Sequence, residues 1–111
     1  MTTKAMAQAV LDAPSACPEF KETAQNYINA IGTDAEKDAA TALVAEAKED
    51  ISPIDGTIAF FATDMAKDIF GADVAAQKLA HAKEIREQGA IYCDCPGCTA
   101  ALEIINNENM F

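Results

Sequence analysis

Apolar residues recur every three or four positions along most of the chain, the spacing that places side chains on one face of an α-helix. Short connections separate the periodic segments, which favours antiparallel neighbours. The sequence therefore predicts an all-α fold, a compact bundle of about six helices with a C-terminal cysteine-rich loop and helix, in a single helical domain over residues 1–111. The predicted helices cover about residues 3–13, 18–31, 34–49, 53–70, 73–88 and 96–105.

Start and stop signals define these helices more closely. Cys17 and Cys95 each stand directly before a proline, and proline suits the first position of a helix, so both cysteines are predicted N-caps. Thr33 and Glu36 have the spacing of a capping box. Asparagine is a weak helix former, so the asparagine-rich tail after residue 105 is expected to fray.

The segment over residues 53–70 has the most apolar helical face in the chain. This face is therefore predicted to lie at the centre of the bundle. Its residues are Ile54, Ile58, Phe61, Met65 and Ile69.

Composition and charge narrow the range of partners. Hydrophobic residues make up 50% of the chain, many of them alanine, which favours closely packed helices. The 18 acidic and 8 basic residues give a net charge of -10, which repels phosphate backbones and anionic lipid. We expect no nucleic-acid partner and no membrane partner, and the sequence leaves any protein partner unknown. No apolar run approaches a membrane span and no signal-peptide pattern opens the chain, which favours a cytoplasmic protein.

The cysteines carry the clearest chemical signal. Three of the four lie in the segment CDCPGC, directly before the last predicted helix. Disulfides are uncommon in the cytoplasm, so a metal or redox role is favoured. Thiolates suit zinc and iron–sulfur clusters, and four of them complete a closed tetrahedral zinc site. The predicted metal ligands are Cys17, Cys93, Cys95 and Cys98, with zinc as the metal and an iron–sulfur cluster as the alternative. Two of these cysteines would lie at helix N-termini, whose partial positive charge stabilises thiolates.

Other interpretations of the cysteines remain open. Cys95 and Cys98 form a C-x-x-C pair at a helix start, which also suits a thiol–disulfide redox protein, with Cys95 as nucleophile. Buried cysteines can also simply fill space. His81 is the only histidine and could replace Cys17 as the fourth ligand. No catalytic triad can be assembled, so the sequence favours a binding or accessory protein with a structural metal over an enzyme.

Three motifs carry a resemblance that covers nearly the whole chain: APSACPE at residues 13–19, IDGTIAF at 54–60 and YCDCPGC at 92–98. Their order is similar to that in a family of small proteins from anaerobic bacteria that are often labelled as the ninety-kilodalton heat-shock chaperone. That chaperone binds ATP with an aspartate-glycine-x-glycine motif. Here Asp55 and Gly56 are followed by Thr57 and Ile58, so the second glycine is missing and the resemblance implies no ATP site.

Overall fold

The computed structural model describes residues 2–111, and the all-α prediction is confirmed in that range. No strand forms among these residues, which contain one isolated antiparallel bridge, between Pro53 and Tyr92. Seven α-helices are followed by a short 3-10 helix at Glu108–Met110. The helices are α1 (Thr3–Asp12), α2 (Pro18–Ala30), α3 (Glu36–Asp50), α4 (Ile54–Phe61), α5 (Asp64–Phe70), α6 (Ala72–Glu87) and α7 (Pro96–Asn106).

The chain forms two compact units. Unit 1 comprises Met1–Ile51 and Asp94–Phe111, so it contains the helices from both ends of the chain. Unit 2 is the continuous segment Ser52–Cys93. The single domain over residues 1–111 stays a prediction.

Unit 1 is built from α1, α2, α3 and α7. Helix α2 packs against α1 and α3, and α7 packs against the same two helices. Large apolar side chains fill the space between the four helices, which is the dominant favourable term in folding. Those that are almost completely buried are Phe20, Met6, Leu43, Ile104 and Val10.

The C-terminal tail is ordered onto unit 1, contrary to the expected fraying. The Phe111 ring lies 5.2 Å from the Tyr27 ring, centroid to centroid. Lys48 Nζ on α3 lies 2.7 Å from Glu108 Oε2. The tertiary contacts of the tail therefore compensate for the poor intrinsic helix propensity of its asparagines.

Unit 2 contains α4, α5 and α6, and the single helix predicted over residues 53–70 is two helices. The break falls at Ala62 and Thr63. The Thr63 hydroxyl donates to the Phe60 carbonyl at 2.6 Å and accepts from the Ala66 amide at 3.3 Å. Thr63 thus closes α4 and caps α5, in the way that threonine competes with a continuous helix.

The prediction that this region forms the centre of the bundle is wrong. Of the five apolar residues of its predicted face, Ile54 alone is buried, whereas Met65 and Ile69 are 63% and 62% exposed. Helix α4 ends at Phe61 and α5 begins at Asp64. The helical spacing therefore does not continue on one face from α4 into α5.

Among residues 2–111, no helix combines the length and the apolar composition that a bilayer crossing requires.

Candidate metal centre

The start of α7 positions two of the clustered cysteines as the sequence predicts. Cys95 is the N-cap, Pro96 is the first helical residue and Cys98 lies in the first turn. The Cys98 amide donates to Cys95 Sγ at 3.4 Å, so the thiol takes the place of the usual oxygen cap. Amides at a helix N-terminus favour negative charge, so this turn suits a thiolate at Cys95.

The backbone before α7 fixes Cys93. Its amide donates to the Ser52 carbonyl at 2.9 Å, and the Ile54 amide donates to the Ile91 carbonyl at 2.9 Å. These two bonds flank the bridge between Pro53 and Tyr92. The short antiparallel pairing therefore holds the backbone in place up to Cys93.

Cys93, Cys95 and Cys98 form one group, in which all three sulfur atoms lie within 4.8 Å of one another. All are thiols, Cys98 is buried and the other two are half-buried. Sulfurs bound to one tetrahedral zinc ion stand about 3.8 Å apart, given Zn–S bonds of about 2.3 Å. The upper limit of 4.8 Å on the separations in this structure is compatible with that spacing. The three thiols are positioned to bind a metal ion.

The loop before α2 packs directly against the first turn of α7. Ser15 Oγ accepts a hydrogen bond from the Gly97 amide at 2.8 Å. A Cβ atom at Gly97 would lie 2.9 Å from the Ala16 amide nitrogen, closer than side chains are found to approach. Glycine at this position therefore allows the two segments to touch, and the amide that Ser15 holds belongs to the turn between Cys95 and Cys98.

Cys17 has a different set of neighbours in the structure. It is the N-cap of α2, as predicted, but its Sγ donates to Asp50 Oδ2 at 3.0 Å. With Glu46 and Asp50 it forms the second group of potential metal ligands among residues 2–111, again within 4.8 Å. The structure brings the residues just before Cys17 against the start of α7 but does not group its sulfur with the other three. The four-cysteine site stays a prediction.

The environment of Cys17 favours the thiol, opposite to the expectation for a helix N-cap. Its burial raises its pKa from 9.0 to about 11, and the hydrogen bond to Asp50 adds to that effect. The pKa of the Glu46 carboxyl is also raised, first by burial and then by Asp50. Burial, together with the Asp50 carboxylate on α3, thus outweighs the partial positive charge of the α2 N-terminus.

His81 lies in the middle of α6 and is exposed to solvent. It belongs to neither group of potential ligands found in the described part of the chain. The contribution of Ser15 and Asp50 to the site was not predicted. The spacing of residues along the sequence could not identify the segment that packs against Gly97 or the carboxylate that accepts from Cys17.

Protein-family models, curated proteins and solved structures were compared with this chain, and none of the three comparisons gives a match.

Proposed function

We propose that this chain is a metal-binding helical protein in which Cys93, Cys95 and Cys98 hold a zinc ion as thiolates. The observation that carries the proposal is the approach of the three sulfurs to within 4.8 Å of one another. Thiolate sulfur is a preferred donor for zinc, and such a centre would have a structural role. An iron–sulfur cluster takes the same donors and is the alternative for the same site.

Cys17 completes the site as the fourth thiolate in this proposal. Its support is the contact of Ser15 and Ala16 with Gly97, which brings the start of α2 beside the first turn of α7. Rotation about the Cα–Cβ bond of Cys17 would turn its sulfur away from Asp50, while its backbone would stay at the N-cap position of α2. A fourth thiolate would close the coordination sphere.

The metal in this proposal has an accessory role rather than a catalytic one. A bound ion would cross-link residues 93–98, and with Cys17 it would tie them to the start of α2. Binding of a metal to the folded chain alone stabilises that chain by mass action. We propose a cytoplasmic binding protein of this kind, related to the family that its three motifs resemble.

The test begins with the metal content of protein purified without oxygen. We expect about one equivalent of zinc per chain by mass spectrometry, or iron and a brown absorbance spectrum if the centre is an iron–sulfur cluster. Cys95→Ser should lose most of the metal because it removes a sulfur from the closest group. Thr99→Ser is the matched control, since it alters an exposed residue of the same turn and removes no sulfur.

Two further variants distinguish the candidates for the fourth ligand. Cys17→Ser should weaken metal binding measurably under competition with a chelator, and His81→Gln should leave it unchanged. If His81→Gln weakens metal binding and Cys17→Ser leaves it unchanged, the fourth ligand is His81 and not Cys17. Less than half an equivalent of metal in the wild-type chain would overturn the proposal. Reversible oxidation of Cys95 and Cys98 in such metal-free protein would then favour the thiol–disulfide redox function.

A further inference from the structure

Unit 2 leaves large apolar side chains at its surface within one short stretch of sequence. Met65 and Ile69 on α5 are followed by Phe70, which is 41% exposed, and by Val74 on α6, which is 40% exposed. We call these four residues the α5 face. Met65 and Ile69 are one helical turn apart on α5 and so share a face, and adjoining exposed apolar residues mark interaction sites more often than scattered single ones do.

Aromatic packing gives part of this face a fixed shape. The Phe70 ring lies 5.4 Å from the Phe61 ring, between centroids, and Phe61 lies 5.1 Å from Phe60. Lys78 Nζ stands 5.6 Å from the centroid of Phe70 and 5.9 Å from that of Phe61. Rings held by one another and by a cation have little freedom left to lose on association, which lowers the entropy cost of binding.

The size of unit 2 explains why the face is uncovered. A chain of about 40 residues is near the limit below which disulfides, metals or oligomerisation are usually needed to complete a core. The buried side chains of its three helices are small apart from Ile54, namely Thr57, Ala66, Ala75 and Ala82. Unit 2 thus holds apolar surface that its own helices do not enclose.

The charge distribution indicates what covers the face. Unit 1 carries 12 acidic and 4 basic residues, whereas unit 2 carries 6 acidic and 4 basic residues. Two copies of unit 1 would repel each other strongly, but two copies of unit 2 are nearly neutral. Both signs also occur along the segment itself, as Asp64, Lys67, Asp68, Asp73 and Lys78. A two-fold axis places such a mixed surface against itself, so that unlike charges can meet around an apolar centre.

We propose that the α5 face is the interface of a homodimer, in which two copies of this chain pack unit 2 against unit 2. The occupant is a second copy because the face combines apolar side chains with charges of both signs. The surrounding charge would not select a strongly basic or a strongly acidic partner. This proposal involves none of the cysteines and is independent of the metal site.

Sedimentation equilibrium of the full chain tests the proposal. We expect the wild type to be a dimer at micromolar concentration. Ile69→Lys should raise the dimer dissociation constant at least about tenfold, because each copy would bring a lysine into the apolar centre. Ile91→Lys is the matched control: it adds the same charge to unit 2 at another exposed isoleucine, outside the α5 face, and should leave the constant within about twofold.

Salt provides a second measurement. The net charge of -10 on each chain opposes association, so screening in 1 M salt should tighten the dimer. A wild type that stays monomeric up to about 1 mM would overturn the proposal and leave the face to a different partner. Equal weakening by Ile69→Lys and Ile91→Lys would also overturn it. If Ile69→Lys lowers the helical circular dichroism signal, Met65→Lys replaces it as the variant of the face.

Discussion

Unit 1 and unit 2 are both built from helices, yet they bury their large side chains to very different extents. In unit 1, Phe20, Met6 and Leu43 are at most 2% exposed. In unit 2, the rings of Phe60 and Phe61 remain half-buried. Helices α4 and α5 have 8 and 7 residues, whereas those of unit 1 have 10 to 15. Four longer helices can enclose a core, and the apolar content of a segment alone does not decide its burial.

The difference in burial between the units is tested by replacing one phenylalanine in each unit with alanine. These substitutions have the largest expected effect on the free energy of unfolding. Phe20→Ala should lower the free energy of unfolding by about 3 to 5 kcal/mol, because it removes a fully buried ring and leaves a cavity. Phe61→Ala should cost about 1 to 2 kcal/mol, because much of its ring already contacts water. Urea unfolding followed by circular dichroism, with both variants at equal metal content, gives the two values.

Hydrogen exchange in the same two variants shows which helices become less stable. Phe20→Ala should speed exchange in α2, which carries this ring, and in α1 and α3, which pack against α2. Equal costs for the two substitutions would contradict the difference in burial between the units.

A smaller difference in stability is expected between the alanine variants of two glycines. Gly97→Ala should destabilise the chain by about 1 to 3 kcal/mol, because its Cβ would collide with the backbone of Ala16. Gly56→Ala on α4 should instead stabilise by about 0.5 to 1 kcal/mol, since no atom lies within 4 Å of the added methyl group and alanine is the better helix former. Thermal unfolding of both variants shows whether each substitution raises or lowers the stability of the chain. Metal titration should also show weaker binding in Gly97→Ala and unchanged binding in Gly56→Ala.

Local signals predicted the helix starts at the site correctly. The positions of Cys17 and Cys95 as N-caps followed from the prolines after them, and a proline at the first helical position acts within its own turn. The mutual approach of the three clustered sulfurs follows in the same way from their spacing over six residues. Properties set by neighbours in sequence could therefore be predicted.

Two features of the structure were not predicted, one local and one set by a distant residue. The apolar spacing from Ile54 to Ile69 suggested one central helix, and the competing signal was Thr63, whose hydroxyl ends one helix and starts the next. Likewise, the bond from Cys17 to Asp50 spans 33 positions, and no pattern in the sequence indicates it. The break at Thr63 is therefore a local signal that the apolar spacing masked, whereas the partner of Cys17 is set by a tertiary contact.

The smallest expected effect concerns the thiol of Cys17 in metal-free protein. Its pKa is about 11 in the folded chain against an ordinary value of 9.0. Below pH 9 the thiol is protonated in both the folded and the unfolded chain, so stability is unaffected. Between pH 9 and pH 11 the unfolded chain loses this proton first, and stability should fall as pH rises. The decline should be modest, because Cys17 is half-exposed and water screens its interaction with Asp50.

Two variants isolate this contribution of Cys17 to stability. Cys17→Ser should make the decline between pH 9 and pH 11 shallower, because serine has no proton to release there. Asp50→Asn should do so too, and it should also shift the ultraviolet absorbance of the Cys17 thiolate to lower pH, because it removes a carboxylate that raises this pKa. If the titration of Cys17 is unchanged in Asp50→Asn, the Cys17 thiol does not keep its hydrogen bond to the Asp50 carboxylate when the protein is in solution. Cys17 would then be available to the other three cysteines without having to leave Asp50.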